Sequence, residues 1–144
     1  MFTSATLTFL PASFELKLAI PLASSGVSAG FPSPADDYLD GHLDFNEHFI
    51  RHPEATFYIR VEGDSMRGAG IFDGDLLIVD RSAACTDGSI VVARIGDAFT
   101  LKRFIKKGSR VFLQPENEDF QPIEVTEDSD CDIWGRVIIS IHRH

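Results

Sequence analysis

Residues Val61–Asp80 read VEGDSMRGAGIFDGDLLIVD. An apolar strand-like run ends here, Ser65 follows Gly63-Asp64, and small residues lead into the continuous apolar segment Leu76-Leu77-Ile78-Val79. This layout predicts Ser65 on a tight turn between two buried elements, where a rigid scaffold can present a side chain for chemistry. Gly63, Gly68, Gly70 and Gly74 allow left-handed or crowded backbone, so N–H groups near Ser65 can be aimed at a carbonyl oxygen. The same residues also fit a glycine-rich hairpin with an ordinary exposed serine, because Gly and Asp are common turn residues. A dinucleotide-binding loop fits poorly, since the glycine spacing is wrong and a strand, not a helix, follows.

Working outward, the chain beyond Pro53 has a β pattern. Thr56–Val61, Leu76–Asp80, Ser89–Ile95, Ala98–Ile105, Arg110–Gln114, Ile123–Val125 and Cys131–Ile141 are candidate strands. Asp87-Gly88, Gly96-Asp97, Gly108-Ser109 and Glu116-Asn117 are the turn signals between them, and Lys106 and Lys107 are assigned to a solvated turn beside Gly108. Many short strands at close spacing predict a mostly β, partly closed antiparallel fold.

Toward the N-terminus, Leu43, Phe45, Phe49 and Ile50 predict one short amphipathic helix over Leu43–Ile50, ending before Pro53. His48 and His52 lie four apart on it, a spacing that can hold a metal, but without a third ligand they read as surface histidines and no metal site is expected. Phe31-Pro32-Ser33-Pro34-Ala35 and the acidic run Asp36–Asp40 predict an irregular, semi-rigid path. Residues 1–29 carry only Glu15 and Lys17 as charges and read as an extended arm. Thr6–Leu10 alternates at the strand period and suits a sheet edge, while Pro11 and Pro21 divide the arm. The segment Ser24–Gly30 is small enough to enter a protease groove and equally serves as a plain linker.

The 144 residues suffice for about one domain with a proper core, and the 44% apolar content supports one. Thirteen Lys and Arg against 22 Asp and Glu give a net charge of −9, which argues against direct, nonspecific gripping of nucleic acid. Cys85 and Cys131 are too few for a disulfide framework and lack metal-ligand spacing, which suits a reducing cytoplasm. No run of 18 apolar residues marks a membrane helix. A signal peptide ending near Val27-Ser28-Ala29 is a poor match, because no basic residue opens the chain and Pro11, Glu15 and Lys17 interrupt it.

A serine hydroxyl needs a base. The five histidines lie in the helical segment (His42, His48, His52) or at the last residues (His142, His144), and nothing ties one to an aspartate. Lysine is the other option if burial keeps its amine neutral. Lys102, within the apolar run Phe99–Ile105, is the one lysine of four that a strand can turn inward. Alternation there permits a buried base and an exposed edge lysine alike.

Gly63-Asp64-Ser65-Met66, Asp73–Asp80 and Phe99-Thr100-Leu101-Lys102-Arg103, in that order, resemble the LexA/UmuD family of self-cleaving serine peptidases. Ala29-Gly30 followed by Phe31-Pro32-Ser33-Pro34-Ala35 narrows the match to its UmuD side. The resemblance spans nearly the whole chain. It implies a catalytic β domain like that of LexA and signal peptidases, with Ser65 as nucleophile, Lys102 as general base and Ala29-Gly30 as the scissile bond. It further implies an oxyanion held by backbone N–H groups at Ser65 and Asp64, Met66 in the wall of the site, and no cofactor. Residues 1–29 would be the arm removed by self-cleavage, and 30–144 the peptidase and polymerase-binding domain. The implied partners are a second copy in a homodimer, a RecA nucleoprotein filament formed after DNA damage, and a UmuC-type polymerase that copies past lesions. The family's repressors carry a helix-turn-helix before this region. The proline-broken, nearly uncharged arm does not fit one, so no direct specific DNA binding is expected.

Two other readings compete. A type I signal peptidase also uses a Ser/Lys dyad on a related β fold but needs a membrane anchor. A noncatalytic β-domain that binds a polymerase or another protein would make Ser65 and Lys102 incidental.

Overall fold

The computed structural model describes residues 6–11, 19–23, 39–116 and 119–144. In chain order the elements are β1 (Thr6–Pro11), β2 (Ala19–Ala23), β3 (Leu39–Asp44), α1 (Phe45–Phe49) and β4 (Thr56–Glu62), then β5 (Leu76–Asp80), β6 (Ile90–Ile95), β7 (Ala98–Lys107), β8 (Arg110–Gln114), β9 (Ile123–Val125) and β10 (Cys131–Ile141). The chain divides into two units, residues 13–53 and the remainder.

In the larger unit eight strands form one antiparallel sheet in the order β1-β4-β5-β10-β6-β7-β8-β9. The hairpin β4-β5 and the meander β6-β7-β8-β9 are each local in sequence, and β10 joins them by pairing with β5 on one side and β6 on the other. Both ladders of β10 shift register, between Ile133 and Gly135 and between Val137 and Ile139, which bends the strand as it crosses the core. Gly135 sits at this bend because a Cβ there would stand 2.8 Å from Val79 Cγ1. The sheet curls until β1 touches β7, as a partly closed β fold requires.

Because strand side chains alternate, the sheet buries two separate clusters. Ile59, Val61, Met66, Ile71, Leu77, Val79, Val92 and Leu101 form one, with Leu7 of β1 packed against it. Val91, Ala93, Phe104, Leu113 and Cys131 form the other, with Cys85 against it. Leu77 is fully buried, which is worth roughly 2 kcal/mol. Burial also raises the thiol pKa of Cys85.

The strands from β5 onward coincide with the sequence expectations to within two residues. Lys106 and Lys107 belong to β7 and not to the turn, since they pair with Val111 and Arg110. β1 pairs in register with β4, Thr6 opposite Glu62 and Pro11 opposite Phe57, as the alternation at Thr6–Leu10 suggests.

The smaller unit differs more from expectation. Leu39 and Asp40 open a strand, and β2 pairs with β3 straight through Pro21. The ladder tolerates Pro21, which has no N–H to give, by shifting register between Pro21 and Ala23. The helix is shorter than Leu43–Ile50: Leu43 is in β3, Asp44 caps the start by accepting the Glu47 N–H, and Ile50 is extended. His52 therefore lies beyond α1, and the four-residue spacing from His48 places no pair on a helix face. Among the described residues no three His, Cys, Asp or Glu side chains group as for a metal ion. No described helix is long and apolar enough to cross a membrane.

Candidate active site

The segment between β4 and β5 folds back on itself because backbone and carboxylates close its base. The Val61 N–H donates to the Asp75 carbonyl at 2.9 Å, and the Gly74 N–H donates to the Val61 carbonyl at 2.8 Å. Inside this base, Asp73 Oδ1 accepts the Gly63 N–H and Asp75 Oδ2 accepts the Phe72 N–H, both at 2.8 Å. Gly63, Gly70 and Gly74 take positive φ of 101°, 77° and 83°, which other residues adopt only with strain. Gly68 does not; space explains it, since a Cβ there would lie 3.2 Å from Glu116 Oε2.

Ser65 and Asp64 are exposed at the crest of this turn, and Met66 is buried at 3% exposure in the first core cluster. Met66 thus anchors the turn from beneath. Its carbonyl accepts the Ala69 and Ile71 N–H groups at 3.0 and 3.1 Å, which shapes the 3₁₀ turn Arg67–Ala69.

Lys102 lies in the middle of β7, opposite Val91 of β6, and is half-buried. Burial lowers its pKa from the ordinary 10.5 by disfavouring the ammonium form. Its neighbour Arg103 donates from its guanidinium to Glu116 Oε1 at 2.8 Å and to the Gly88 carbonyl at 2.9 Å.

Two connections tie the Ser65 turn to β7. Met66, next to Ser65, and Leu101, next to Lys102, pack in one buried cluster. Glu116 touches the position of Gly68 and holds Arg103. The structure thus holds an exposed hydroxyl on a fixed turn and, on a strand joined to that turn, a half-buried lysine with a depressed pKa. Ala29 and Gly30 lie outside the described residues.

Sequence reading missed the clamping roles of Asp73 and Asp75 and the part played by His142. Asp75 is 1% exposed, and its Oδ1 lies 2.5 Å from His142 Nδ1. An aspartate at the mouth of an apolar strand was the available signal, because a buried carboxylate needs donors. Nothing in the sequence pointed to the histidine.

A family profile described as Peptidase S24-like matches residues 21–138. Protein MucA of Salmonella typhimurium is 44% identical over 127 residues, covering 88% of this chain and 86% of that protein. The LexA repressor of Shewanella piezotolerans is 46% identical over 111 residues, covering 77% of this chain and 53% of the repressor. That of Hahella chejuensis is 45% identical over 116 residues, covering 81% and 57%. With the profile spanning most of the β sheet and the relatives aligned across both β4-β5 and β7, the chain belongs to the S24-like peptidases, the LexA/UmuD family.

Proposed function

We propose that this chain is a self-processing serine peptidase of SOS mutagenesis that cuts its own Ala29–Gly30 bond and then serves an error-prone translesion polymerase. The observation that carries the reading is Lys102, half-buried with its ammonium disfavoured, on the strand that Leu101 and Glu116 tie to the Ser65 turn. Similarity to protein MucA along most of both chains supports the mutagenesis role.

In the proposed reaction neutral Lys102 Nζ takes the proton of Ser65 Oγ as the oxygen attacks the Ala29 carbonyl carbon. Backbone N–H groups at Ser65 and Asp64 hold the resulting oxyanion. The C–N bond to Gly30 then breaks, and Lys102 returns its proton to the departing amine. Water, deprotonated by the same lysine, releases Ala29 from Ser65 as a carboxylate. A RecA filament favours the state in which the bond occupies the site, and the trimmed dimer joins a UmuC-type polymerase in the cytoplasm.

The test is incubation of purified protein over a rising pH series, read by intact mass beside Ser65→Ala and Lys102→Ala. A fragment beginning at Gly30 that accumulates with pH in the parent alone is expected. If no cut appears at any pH or on addition of RecA filament, a noncatalytic binding module is the better reading. A chain lacking residues 1–29 should bind the polymerase without RecA; binding no better than the intact chain would refute arm masking.

A further inference from the structure

His142 follows β10 and reaches the Ser65 turn by two routes. The first is polar: His142 Nδ1 and Asp75 Oδ1 are 2.5 Å apart, while Asp75 Oδ2 accepts the Phe72 N–H. The Asp75 side chain is 1% exposed against 40% for His142, so the histidine supplies a donor to an oxygen that water scarcely reaches. Protonated histidine and its Nδ1–H tautomer both donate at this atom. Without that donor the carboxylate oxygen would be left buried and unsatisfied, a costly state.

The second route is aromatic. The rings of Phe72 and His142 pack with centroids 4.9 Å apart, and His144 meets His142 edge-on at 4.9 Å. Arg67, two residues after Ser65, stands 5.4 Å over the same Phe72 ring. Phe72 and Asp75, on the return side of the turn, thus converge on one imidazole, and Arg67 on the outgoing side rests on the Phe72 ring.

We propose that His142 is a positioning residue for Ser65: its Nδ1 bond to Asp75 and its packing on Phe72 set the shape of the 63–75 turn that carries the hydroxyl. The inference rests on the reading of Ser65 as nucleophile. It makes the segment after β10 part of the machinery, since a displacement of about 1 Å in a nucleophile can cost on the order of 100-fold in rate.

The experiment compares the full chain with His142→Ala, His142→Phe and His142→Asn. Asparagine keeps an N–H donor at the distance of Nδ1 from the backbone, whereas phenylalanine keeps the ring against Phe72 without the donor. Three readouts are taken: the self-cleavage rate on the alkaline plateau, the rate at which an organophosphorus fluoride modifies Ser65, and hydrogen exchange of the Phe72 amide. His142→Ala should slow cleavage and modification by about 10- to 100-fold and speed exchange, with His142→Phe close behind. His142→Asn should recover most of the loss, which a merely structural filler would not. If His142→Ala cannot be purified folded, His142→Phe carries the comparison. Parent-like rates in the variant lacking the donor, or an asparagine variant as slow as alanine, would overturn the proposal. An unmodified Ser65 in the parent would instead overturn the peptidase reading, and amide exchange would still decide whether His142 clamps the turn.

Discussion

The turn at Ser65 and the helix α1 are both short, polar segments with two or three large apolar residues, yet they are held in different ways. In the turn, Met66 and Ile71 enter the core and two aspartates accept backbone N–H groups across the loop, one of them almost completely buried. In α1 no residue is buried, and Phe49 packs on Phe45 and on His48, 4.6 Å between centroids in each pair. Its side-chain cap bond, from the Glu47 N–H to Asp44 at 3.1 Å, is exposed to water. Five residues are too few for a helix to sustain itself. The contrast teaches that a short polar segment acquires a defined shape when its apolar residues enter the core and a buried carboxylate holds its backbone donor.

The largest expected effect lies in the turn. Ser65→Ala should abolish self-cleavage, read by intact mass, and leave the melting temperature nearly unchanged because Ser65 is exposed. A large loss of stability would show the crest to be structural after all. For Lys102 the signs follow from its lowered pKa. Cleavage should rise about tenfold per pH unit until the folded-state pKa, below 10.5, and then level off. The folded state bears the cost of the buried ammonium in full below that pKa and is relieved of it as pH climbs toward 10.5. Lys102→Met should therefore be inactive yet more stable at neutral pH, by chemical denaturation, with the gain fading in alkali.

Asp75→Ala should cost about 3 kcal/mol in urea unfolding, since it orphans the Phe72 N–H in a part-buried site. Asp73→Ala, at an exposed bond, should cost about 1 kcal/mol. The smallest effect belongs to α1. Asp44→Ala should cost about 0.5 kcal/mol, seen as faster exchange of the Glu47 amide without a change in the main transition. Equal losses for Asp75→Ala and Asp44→Ala would erase the comparison.

How much could be read beforehand follows the same division. β8, β9 and β10 were legible to the residue; for β8 the apolar run Val111-Phe112-Leu113 directly after the turn signal Gly108-Ser109 leaves little freedom. The place of Ser65 on an exposed turn and of Lys102 within a strand was legible, from the glycines around the serine and the apolar residues around the lysine. The hairpin β2-β3 was not, because Pro21 is a strand breaker by local rule and only its partner strand, by shifting register, makes it tolerable. Nor was the link from Asp75 to His142, 67 residues apart, since sequence spacing does not reveal a contact made by chain closure.

The strand order carries a consequence for the life of the chain on the ribosome. Ser65 belongs to the hairpin β4-β5 and Lys102 to the meander that starts at β6, and the strand between these halves is β10, the last of the sheet's described strands to be made. Domains fold as units once their chain has emerged, and synthesis proceeds at roughly 5–20 residues per second. Until β10 inserts, Ser65 and Lys102 belong to two separate nascent pieces. Under the proposed reading, a protein that cuts itself is thereby built in an order that withholds the blade until the strand joining its two halves has emerged.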